Sequence, residues 1–216
     1  MKNLIISFCG QKGGCGKTSI AIMFATYCVE QGLPVFVIDA DTQLSLRKNR
    51  FDDLGLKNID VPWQVWPLRL DESIQEHMTK IKKIPGLVLI DCPGSVDNNN
   101  LKYVYNASDI LIMPFRYDRM NVRETATFAD IVKKISKGKR IFLPNMVTQY
   151  DGKRTELKAA IEQATSTLGK YGLILPGIAD SLDVRVSNTL GMNYKQRRVV
   201  RESFDAIIEI INEKYK

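Results

Sequence analysis

The sequence predicts an α/β fold: a doubly wound, mainly parallel β-sheet flanked by helices. Two observations predict it. Short apolar runs alternate with longer stretches in which apolar residues recur at helical spacing, and a glycine-rich segment follows the first run. Strands that alternate with helices form parallel sheets with helices on both faces. Ligands of such sheets bind beyond the carboxyl ends of the strands, so the functional residues are expected at that edge.

Each element follows from the length and period of an apolar pattern. The predicted strands cover Leu4 to Phe8, Pro34 to Ile38, Val61 to Trp66, Leu87 to Ile90, Ile110 to Pro114, Ile141 to Val147 and Leu173 to Ile178. The predicted helices cover Thr18 to Gln31, Leu70 to Lys83, Asn99 to Ala107, Val122 to Ser136, Glu156 to Gly169 and Lys195 to Tyr215.

Length and composition favour one domain over residues 1–216. Of the 216 residues 44% are hydrophobic and 25% are charged, which allows a substantial buried core. No apolar stretch is long enough to span a bilayer and no signal peptide is recognised, so a cytoplasmic protein is expected. The four cysteines lack the paired spacing of metal ligands. Reduced thiols are therefore expected, with no disulfide and no zinc site.

The net charge of +7 favours attraction to a polyanion. One basic cluster lies where a predicted helix ends, and it consists of Lys133, Lys134, Lys137, Lys139 and Arg140. Cations at a helix C-terminus also complement the helix macrodipole, so a solvated surface explains that cluster equally well. A second cluster opens the last helix, where cations oppose the dipole, and it consists of Lys195, Arg197, Arg198 and Arg201. DNA contact is one explanation of the second cluster, and pairing of Arg198 with Glu202 is the other.

A candidate phosphate loop lies between the first strand and the first helix. Gln11 to Thr18 reads QKGGCGKT and brings two lysines and three glycines together. Glycines let backbone N–H groups surround a phosphate at a helix N-terminus. Lys17 is expected to reach the β- and γ-phosphates, and the Thr18 hydroxyl to coordinate Mg²⁺. The standard phosphate-loop pattern has glycine at the position of Gln11. Lys12 is an additional lysine that the standard pattern does not contain.

Two further segments place carboxylates directly after buried strands. Asp39 and Asp41 follow one strand, and Asp91 follows another. Carboxylates at such positions are costly unless a cation or a water network uses them. An apolar strand that ends in aspartate is the Walker B arrangement, in which the carboxylate holds magnesium. For Asp39 and Asp41, capping of a following helix is the alternative.

Gln11 to Thr18 resembles the deviant Walker A loop of the ParA/MinD family of P-loop NTPases, and the segment of Asp39 and Asp41 resembles the second signature of that family. With Asp91 following in the family's order, the chain is most similar to small ParA-type partition ATPases. The resemblance implies that ATP is contacted by Gln11, Lys12, Gly13, Gly14, Cys15, Gly16, Lys17, Thr18 and Ser19. It implies catalytic roles for Lys12, Lys17 and Asp41, with Lys12 reaching the γ-phosphate held by a partner subunit. Mg²⁺ would be held through Thr18, Asp39 and Asp91. Thr42 stands where the family signature has proline.

The resemblance extends into the second half of the chain. Asn145, or alternatively Thr148, stands where the family often contacts adenine, and Asp151 and Arg154 match the segment that follows. Ala179 to Asn188 resembles a loop that carries a DNA-contacting arginine, which is Arg185 here.

The implied function is a cytoplasmic, nucleoid-associated ATPase with weak intrinsic activity. It would form a homodimer on ATP and Mg²⁺, bind DNA nonspecifically and drive partition of a plasmid, mobile element or chromosome. A centromere-binding, ParB-like adaptor would stimulate hydrolysis.

Two alternatives use the same nucleotide loop. One is a P-loop metabolic ligase, and the other is a MinD-like positioning ATPase that binds membranes through the last helix. That helix carries an apolar stripe, which consists of Phe204, Ile207, Ile208, Ile210 and Ile211. Its polar face is acidic, so core packing is expected for the stripe and no stable membrane association is expected for the protein.

Overall fold

The computed structural model describes residues 2–55, 59–71, 73–94, 98–148 and 155–215. The strands are β1 (Asn3–Phe8), β2 (Val35–Asp39), β3 (Gln64–Pro67), β4 (Gly86–Asp91), β5 (Ile110–Phe115), β6 (Lys139–Pro144) and β7 (Leu173–Ile174). The helices are α1 (Lys17–Glu30), α2 (Ser45–Leu54), α3 (Ile74–Ile81), α4 (Leu101–Ala107), α5 (Arg119–Ile135), α6 (Thr155–Leu168), α7 (Leu182–Arg185) and α8 (Tyr194–Tyr215).

The strands form one sheet in the order β3-β2-β4-β1-β5-β6-β7, and every neighbouring pair is parallel. This confirms the predicted α/β fold with a doubly wound parallel sheet. The register places Phe8 beside Asp91 and Asp39 beside Asp91, so the ends of β1, β2 and β4 meet at one edge. The loop that follows β1 therefore lies next to both strand-end carboxylates.

The central strands are buried on both faces, which explains their continuous apolar sequences. Every residue of β4 and β5 is buried. One core cluster contains Phe24 and Phe204, whose rings lie 5.1 Å apart, and the other contains Tyr105 and Phe128 on the opposite face. Helices thus cover both sides of the sheet.

The apolar stripe of α8 belongs to the core. Phe204, Ile207, Ile210 and Ile211 are buried, and Ile208 is partly buried against the same cluster. The predicted core packing of this stripe is confirmed. Within the described ranges, no helix combines the length and the apolar composition that crossing a bilayer requires.

Two helices were not predicted from the sequence. Helix α2 is mostly polar and buries only Leu46 and Arg50, so it lacks the apolar period of an amphipathic helix. Helix α7 has four residues, which is too short for a period to be recognised. Strand β7 also ends earlier than predicted, at Ile174, shortly before Pro176 and Gly177.

Candidate nucleotide-binding site

The loop between β1 and α1 has the backbone conformation of a phosphate cradle. Gly14 and Gly16 have φ angles of 79° and 86°, in the left-handed region that favours glycine. Helix α1 begins immediately after Gly16, and no side chain caps its N-terminus. The first N–H groups of a helix have no partner within the helix, so this end is suited to an anion.

The Asn145 side chain supports the phosphate loop through a hydrogen bond. Its Nδ2 donates to the carbonyl of Cys15 at 2.9 Å, and a Cβ on Gly16 would lie 2.3 Å from this nitrogen. The side chain is buried, and within the described structure its Oδ1 has no hydrogen-bond partner. Asn145 lines a cavity of about 180 Å³ together with Ser19, Met146 and Ala179. Asn145 thus contributes an amide to the wall of a cavity beside the phosphate loop, and an amide is suited to pair with the polar edge of a nucleotide base.

The two lysines of the loop are placed differently. Lys17 is 8% exposed, and its Nζ donates to the carbonyl of Lys12 at 3.0 Å, inside the loop. The ammonium of Lys12 lies 3.4 Å from Oε2 of Glu124 on α5, and 37% of its side chain is exposed. Lys17 thus belongs to the cradle of its own chain, whereas Lys12 lies at the rim.

Thr18 and Asp91 form the second part of the site. The Thr18 hydroxyl donates to Oδ2 of Asp91 at 2.7 Å, and Oδ1 of Asp91 is buried with no hydrogen-bond partner in the described structure. Burial raises the pKa of Asp91 to about 7, and the charge of Asp39 acts in the same direction. A cation near this carboxylate would compensate the burial cost.

These oxygens fit Mg²⁺ bound together with phosphates. Among the described residues, no three His, Cys, Asp or Glu side chains gather into a complete metal cage. Mg²⁺ does not need one, because it keeps several waters and takes one or two protein oxygens besides the phosphate oxygens. The Thr18 hydroxyl and the Asp91 carboxylate supply such oxygens.

Asp39 performs the capping role that was the alternative interpretation. It is fully buried, and its carboxylate accepts the N–H groups of Asp41 at 3.2 Å and Arg47 at 3.0 Å. Burial raises the pKa of Asp39, which these hydrogen bonds partly offset. Because Arg47 lies in the first turn of α2, the strand-end carboxylate also fixes where that helix begins.

Asp41 lies closer to solvent than Asp39. Its Oδ1 accepts the N–H of Gln43 at 2.9 Å, which closes a turn at the position where the family signature has proline. The carboxylate therefore holds the turn that Thr42 cannot rigidify.

Three of the five predicted DNA-contacting cations are ion-paired. Arg185 contacts both carboxylate oxygens of Asp180: its Nε and Nη2 donate to Oδ1 at 3.1 and 2.7 Å, and Nη2 also donates to Oδ2 at 2.5 Å. Arg197 contacts Glu30 at 2.6 and 2.9 Å, and Arg201 lies 3.9 Å from Asp205. Their carboxylate partners raise the pKa values of Arg185 and Arg197.

The other two cations, Lys195 and Arg198, are exposed and have no ion pair with any residue that the structure describes. Arg185 and Asp180 also line the cavity that contains Asn145 and Ser19. The structure therefore places Arg185 beside the candidate base site, and its role in DNA contact stays a prediction. Asp151 and Arg154 lie outside the described residues.

The sequence interpretation missed the contribution of α5. The Asn121 side chain contacts Sγ of Cys15 at 3.4 Å and accepts the N–H of Arg116 at 3.1 Å. Glu124 contacts Lys12 from the same helix. No sequence signal identifies these two residues, because nothing in the spacing of a polar helix face shows that it touches the phosphate loop.

Comparison with known proteins identifies a family and a set of similar folds. The model of the CobQ/CobB/MinD/ParA nucleotide-binding domain matches residues 6–189. Apo McdA from Cyanothece superposes with a TM-score of 0.78 at 16% identity, over 97% of this chain and 99% of that chain. A putative plasmid partition protein from Borrelia burgdorferi, bound to AMPPNP, gives a TM-score of 0.71 at 20% identity, over 99% and 100% of the two chains.

Two more relatives are similar to this chain. The MinD cell division protein from Aquifex aeolicus gives a TM-score of 0.74 at 16% identity, over 97% of each chain. An uncharacterised protein from Methanocaldococcus jannaschii is 42% identical over 57 residues, which make up 26% of this chain and 21% of that protein. The chain therefore spans about a fifth of the length of this curated relative.

Proposed function

Because this chain belongs to the CobQ/CobB/MinD/ParA nucleotide-binding family, we propose that it is a ParA-type ATPase. It dimerises on ATP and Mg²⁺, binds DNA nonspecifically and drives partition of a plasmid, mobile element or chromosome. A ParB-like adaptor that binds the centromere stimulates its hydrolysis. The likeness of the fold to a putative plasmid partition protein bound to an ATP analogue supports this choice within the family.

The placement of the two lysines is the observation that supports dimerisation most directly. Lys17 is buried within its own loop, where it can serve the phosphates held by its own chain. Lys12 lies at the rim in an ion pair with Glu124, in which 37% of the Lys12 and 31% of the Glu124 side chain is exposed. At 3.4 Å, and with no hydrogen bond to Oε2 in the described structure, this pair contributes on the order of 1 kcal/mol, so a phosphate held by a second subunit can replace Glu124.

The chain's own residues then have distinct tasks in hydrolysis. Lys17 and the N–H groups of the loop would hold the β- and γ-phosphates. Thr18 and Asp91 would hold the metal, with Asp39 supporting its coordination shell. Bound Mg²⁺ neutralises charge on the phosphate oxygens. Asp41 orients the attacking water, and Lys12 of the opposite subunit stabilises charge that develops on the transferred group.

The γ-phosphate is what makes the dimer reversible. Lys12 exchanges its contact with Glu124 for a contact with the terminal phosphate, and ADP cannot offer that contact. The dimer is therefore favoured only while triphosphate is bound, because a ligand shifts a conformational equilibrium by its difference in affinity for the two states.

Burial of the apolar stripe of α8 supports a DNA-bound rather than a membrane-bound role. Phe204, Ile207 and Ile211 are fully buried against the sheet, so these side chains are unavailable for insertion into lipid. Lys195 and Arg198 at the start of the helix remain accessible to a polyanion.

Sedimentation of the purified protein with ATP or ADP tests the proposal. The Asp41→Asn variant is used as background to slow hydrolysis, and Lys12→Ala and Lys17→Ala are compared in it. We expect Lys17→Ala to lose binding of a fluorescent ATP analogue. We expect Lys12→Ala to keep that binding and to lose the ATP-dependent dimer. An ATP-bound protein that remains a monomer, or a dimer that survives Lys12→Ala, contradicts the proposed switch.

A second measurement separates the proposed ATPase from a metabolic ligase. ATP turnover is followed with DNA plus the product of a neighbouring gene, and separately with a panel of small carboxylates. We expect stimulation by the first mixture, because a partition ATPase acts with an adaptor. Turnover that requires a carboxylate metabolite would favour the ligase.

A further inference from the structure

We propose that the edge of the sheet opposite the phosphate loop binds the DNA phosphate backbone. The surface consists of five lysines, here called the basal lysine patch: Lys2, Lys82, Lys83, Lys137 and Lys139. This inference rests on the proposed DNA binding, and it names a surface for that binding other than the start of α8.

The topology brings these lysines to one edge. All strands are parallel, so their N-terminal ends lie together, away from the phosphate loop. Lys2 precedes β1, Lys82 and Lys83 precede β4, and Lys137 and Lys139 lie at the start of β6. Lys82 and Lys137 line one cavity of about 470 Å³, which Asn3 and Asn106 also line.

The five lysines of the patch outnumber the carboxylate that lines the cavity, which is Asp109. All five lysines are exposed, and none forms an ion pair with a residue that the structure describes. Oδ2 of Asp109 accepts the N–H of Ile5 at 2.9 Å, and its single negative charge stands against five ammonium groups. Exposed like charges at one edge repel one another, and a polyanion relieves that repulsion.

Lys82 is the C-cap residue of α3, where the helix macrodipole favours a cation, but hydrogen bonds to the helix ends do not hold these lysines in place. The last carbonyl groups of α3 and the turn after it accept from Nδ2 of Asn3, at 3.0 Å for Ile81 and 2.6 Å for Ile84. The carbonyl groups of Ser136 and Gly138, after α5, accept from the Arg140 guanidinium at 3.4 Å. The polar groups at both helix ends thus have partners other than the lysine ammonium groups.

The other basic residues of the cluster predicted at the end of α5 already have interaction partners. Lys134 contacts Asp130 at 2.8 Å, Lys133 lies over the ring of Tyr171, and the Nε of Arg140 donates to the Tyr171 carbonyl at 2.7 Å. Lys137 and Lys139 are the members of that cluster whose charge is unpaired within the described structure.

The patch also differs from three of the five cations that the sequence assigned to DNA. Arg185, Arg197 and Arg201 would each have to leave a carboxylate before they could bind a phosphate. The lysines of the patch bind without such a loss, so counterion release from DNA contributes its full free energy there.

The test uses a pair of variants with equal charge loss. Lys82→Gln/Lys137→Gln removes two charges from the patch. Lys80→Gln/Lys134→Gln removes two exposed lysines that are already paired, with Glu76 at 2.7 Å and Asp130 at 2.8 Å. Binding of a random-sequence DNA duplex to the full chain with ATP is measured across a salt series, together with binding of an ATP analogue.

We expect the patch variant to lose affinity by roughly 10- to 100-fold near physiological salt. We also expect the slope of log K against log salt to become shallower by about 2, because each lost phosphate contact removes about 0.9 from it. The control pair should stay within about threefold of the wild type, since its lysines are already neutralised. ATP binding should be unchanged in both variants, because the patch lies at the opposite edge from the loop.

The other outcomes are distinguishable. If the wild type binds DNA and the patch variant binds with the same affinity and slope, the inference is wrong and the proposed DNA binding stands. If the wild type fails to bind DNA with ATP even at low salt, the proposed function fails and the inference fails with it. If vesicles containing anionic lipid bind the patch while DNA does not, the surface recognises membranes and the inference is overturned.

Discussion

Gly16 and Asn145 show how a single contact sets the shape of the phosphate loop. Gly16 has a φ of 86°, and a Cβ there would lie 2.3 Å from Nδ2 of Asn145. The same nitrogen donates to the Cys15 carbonyl. Asn145 thus occupies the space that a side chain at position 16 would need, and it stabilises the loop that glycine makes possible.

We expect Gly16→Ala to lower the free energy of unfolding of the nucleotide-free protein by about 2 kcal/mol or more, because strain and overlap add. Gly13→Ala is the control, since a Cβ there meets nothing within 4 Å. Urea denaturation measures both. Adding Asn145→Ala to Gly16→Ala should recover part of the lost unfolding free energy. Equal stability of Gly16→Ala and Gly13→Ala would contradict this account.

The ion pair of Lys12 with Glu124 leads to a prediction on assembly. We expect Glu124→Gln to strengthen the ATP-dependent dimer by up to about fivefold, because Lys12 no longer has to leave a carboxylate and such pairs contribute at most about 1 kcal/mol. Glu76→Gln, which breaks the exposed pair with Lys80, serves as the control and should have no effect. Sedimentation across protein concentrations gives the dimer affinity, and a weaker dimer in Glu124→Gln would reverse the interpretation.

Helix α2 illustrates an element that is positioned by polar contacts. Arg50 is buried; its guanidinium lies 4.1 Å from the Trp63 ring centre and donates to the Trp63 carbonyl at 2.7 Å and the Thr189 hydroxyl at 2.8 Å. Asp53 accepts from the same Thr189. At its other end, in the first turn, the backbone N–H of Arg47 donates to the Asp39 carboxylate. The helix therefore connects the candidate magnesium site with residues 186–193.

We expect Arg50→Ala to lower the free energy of unfolding by about 3 kcal/mol, because it removes a stacked cation and leaves buried carbonyl groups without donors. Arg50→Lys should recover only part of this, since an ammonium cannot donate in the same fork geometry. Arg47→Ala is the control, because α2 uses only the backbone N–H of Arg47. Thermal and urea unfolding measure the stability of the three variants. Equal losses of unfolding free energy in Arg47→Ala and Arg50→Ala would show that the contacts of the Arg50 guanidinium do not stabilise α2.

At the scale of the whole molecule, the parallel sheet places Asp39 and Asp91 next to each other at its functional edge. Without a cation, burial raises the pKa of Asp91 from 3.8 to about 7. The unfolded chain therefore releases this proton at a lower pH than the folded protein does. Ionisation of Asp91 then opposes folding over the interval between the two values.

We expect the free energy of unfolding of the nucleotide-free protein to fall relative to Asp91→Asn as the pH rises from about 4 to about 7. The expected slope is about 1.4 kcal/mol per pH unit, and the difference should level off above pH 7, where both states are ionised. Urea denaturation of both proteins in metal-free buffer measures it. A difference that does not change with pH would mean that Asp91 is ionised throughout.

The fold class and the main parts of the candidate site could be predicted from local sequence patterns. Apolar runs marked the central strands because parallel strands are buried on both faces, and the phosphate loop and the carboxylates were found because each lies directly after such a strand. These signals are local, because each pattern can be recognised within a single short segment of the chain.

Which charges are neutralised, and which surfaces touch the phosphate loop, could be learned from the three-dimensional arrangement alone. The contacts of Arg185 with Asp180 and of Lys12 with Glu124, and the approach of Asn145 to Gly16, join side chains whose partners no spacing rule identifies. The unpaired lysines before β1, β4 and β6 likewise came together only because parallel strands begin at one edge. Charge pairing depends on positions in space, and folding alone sets those positions.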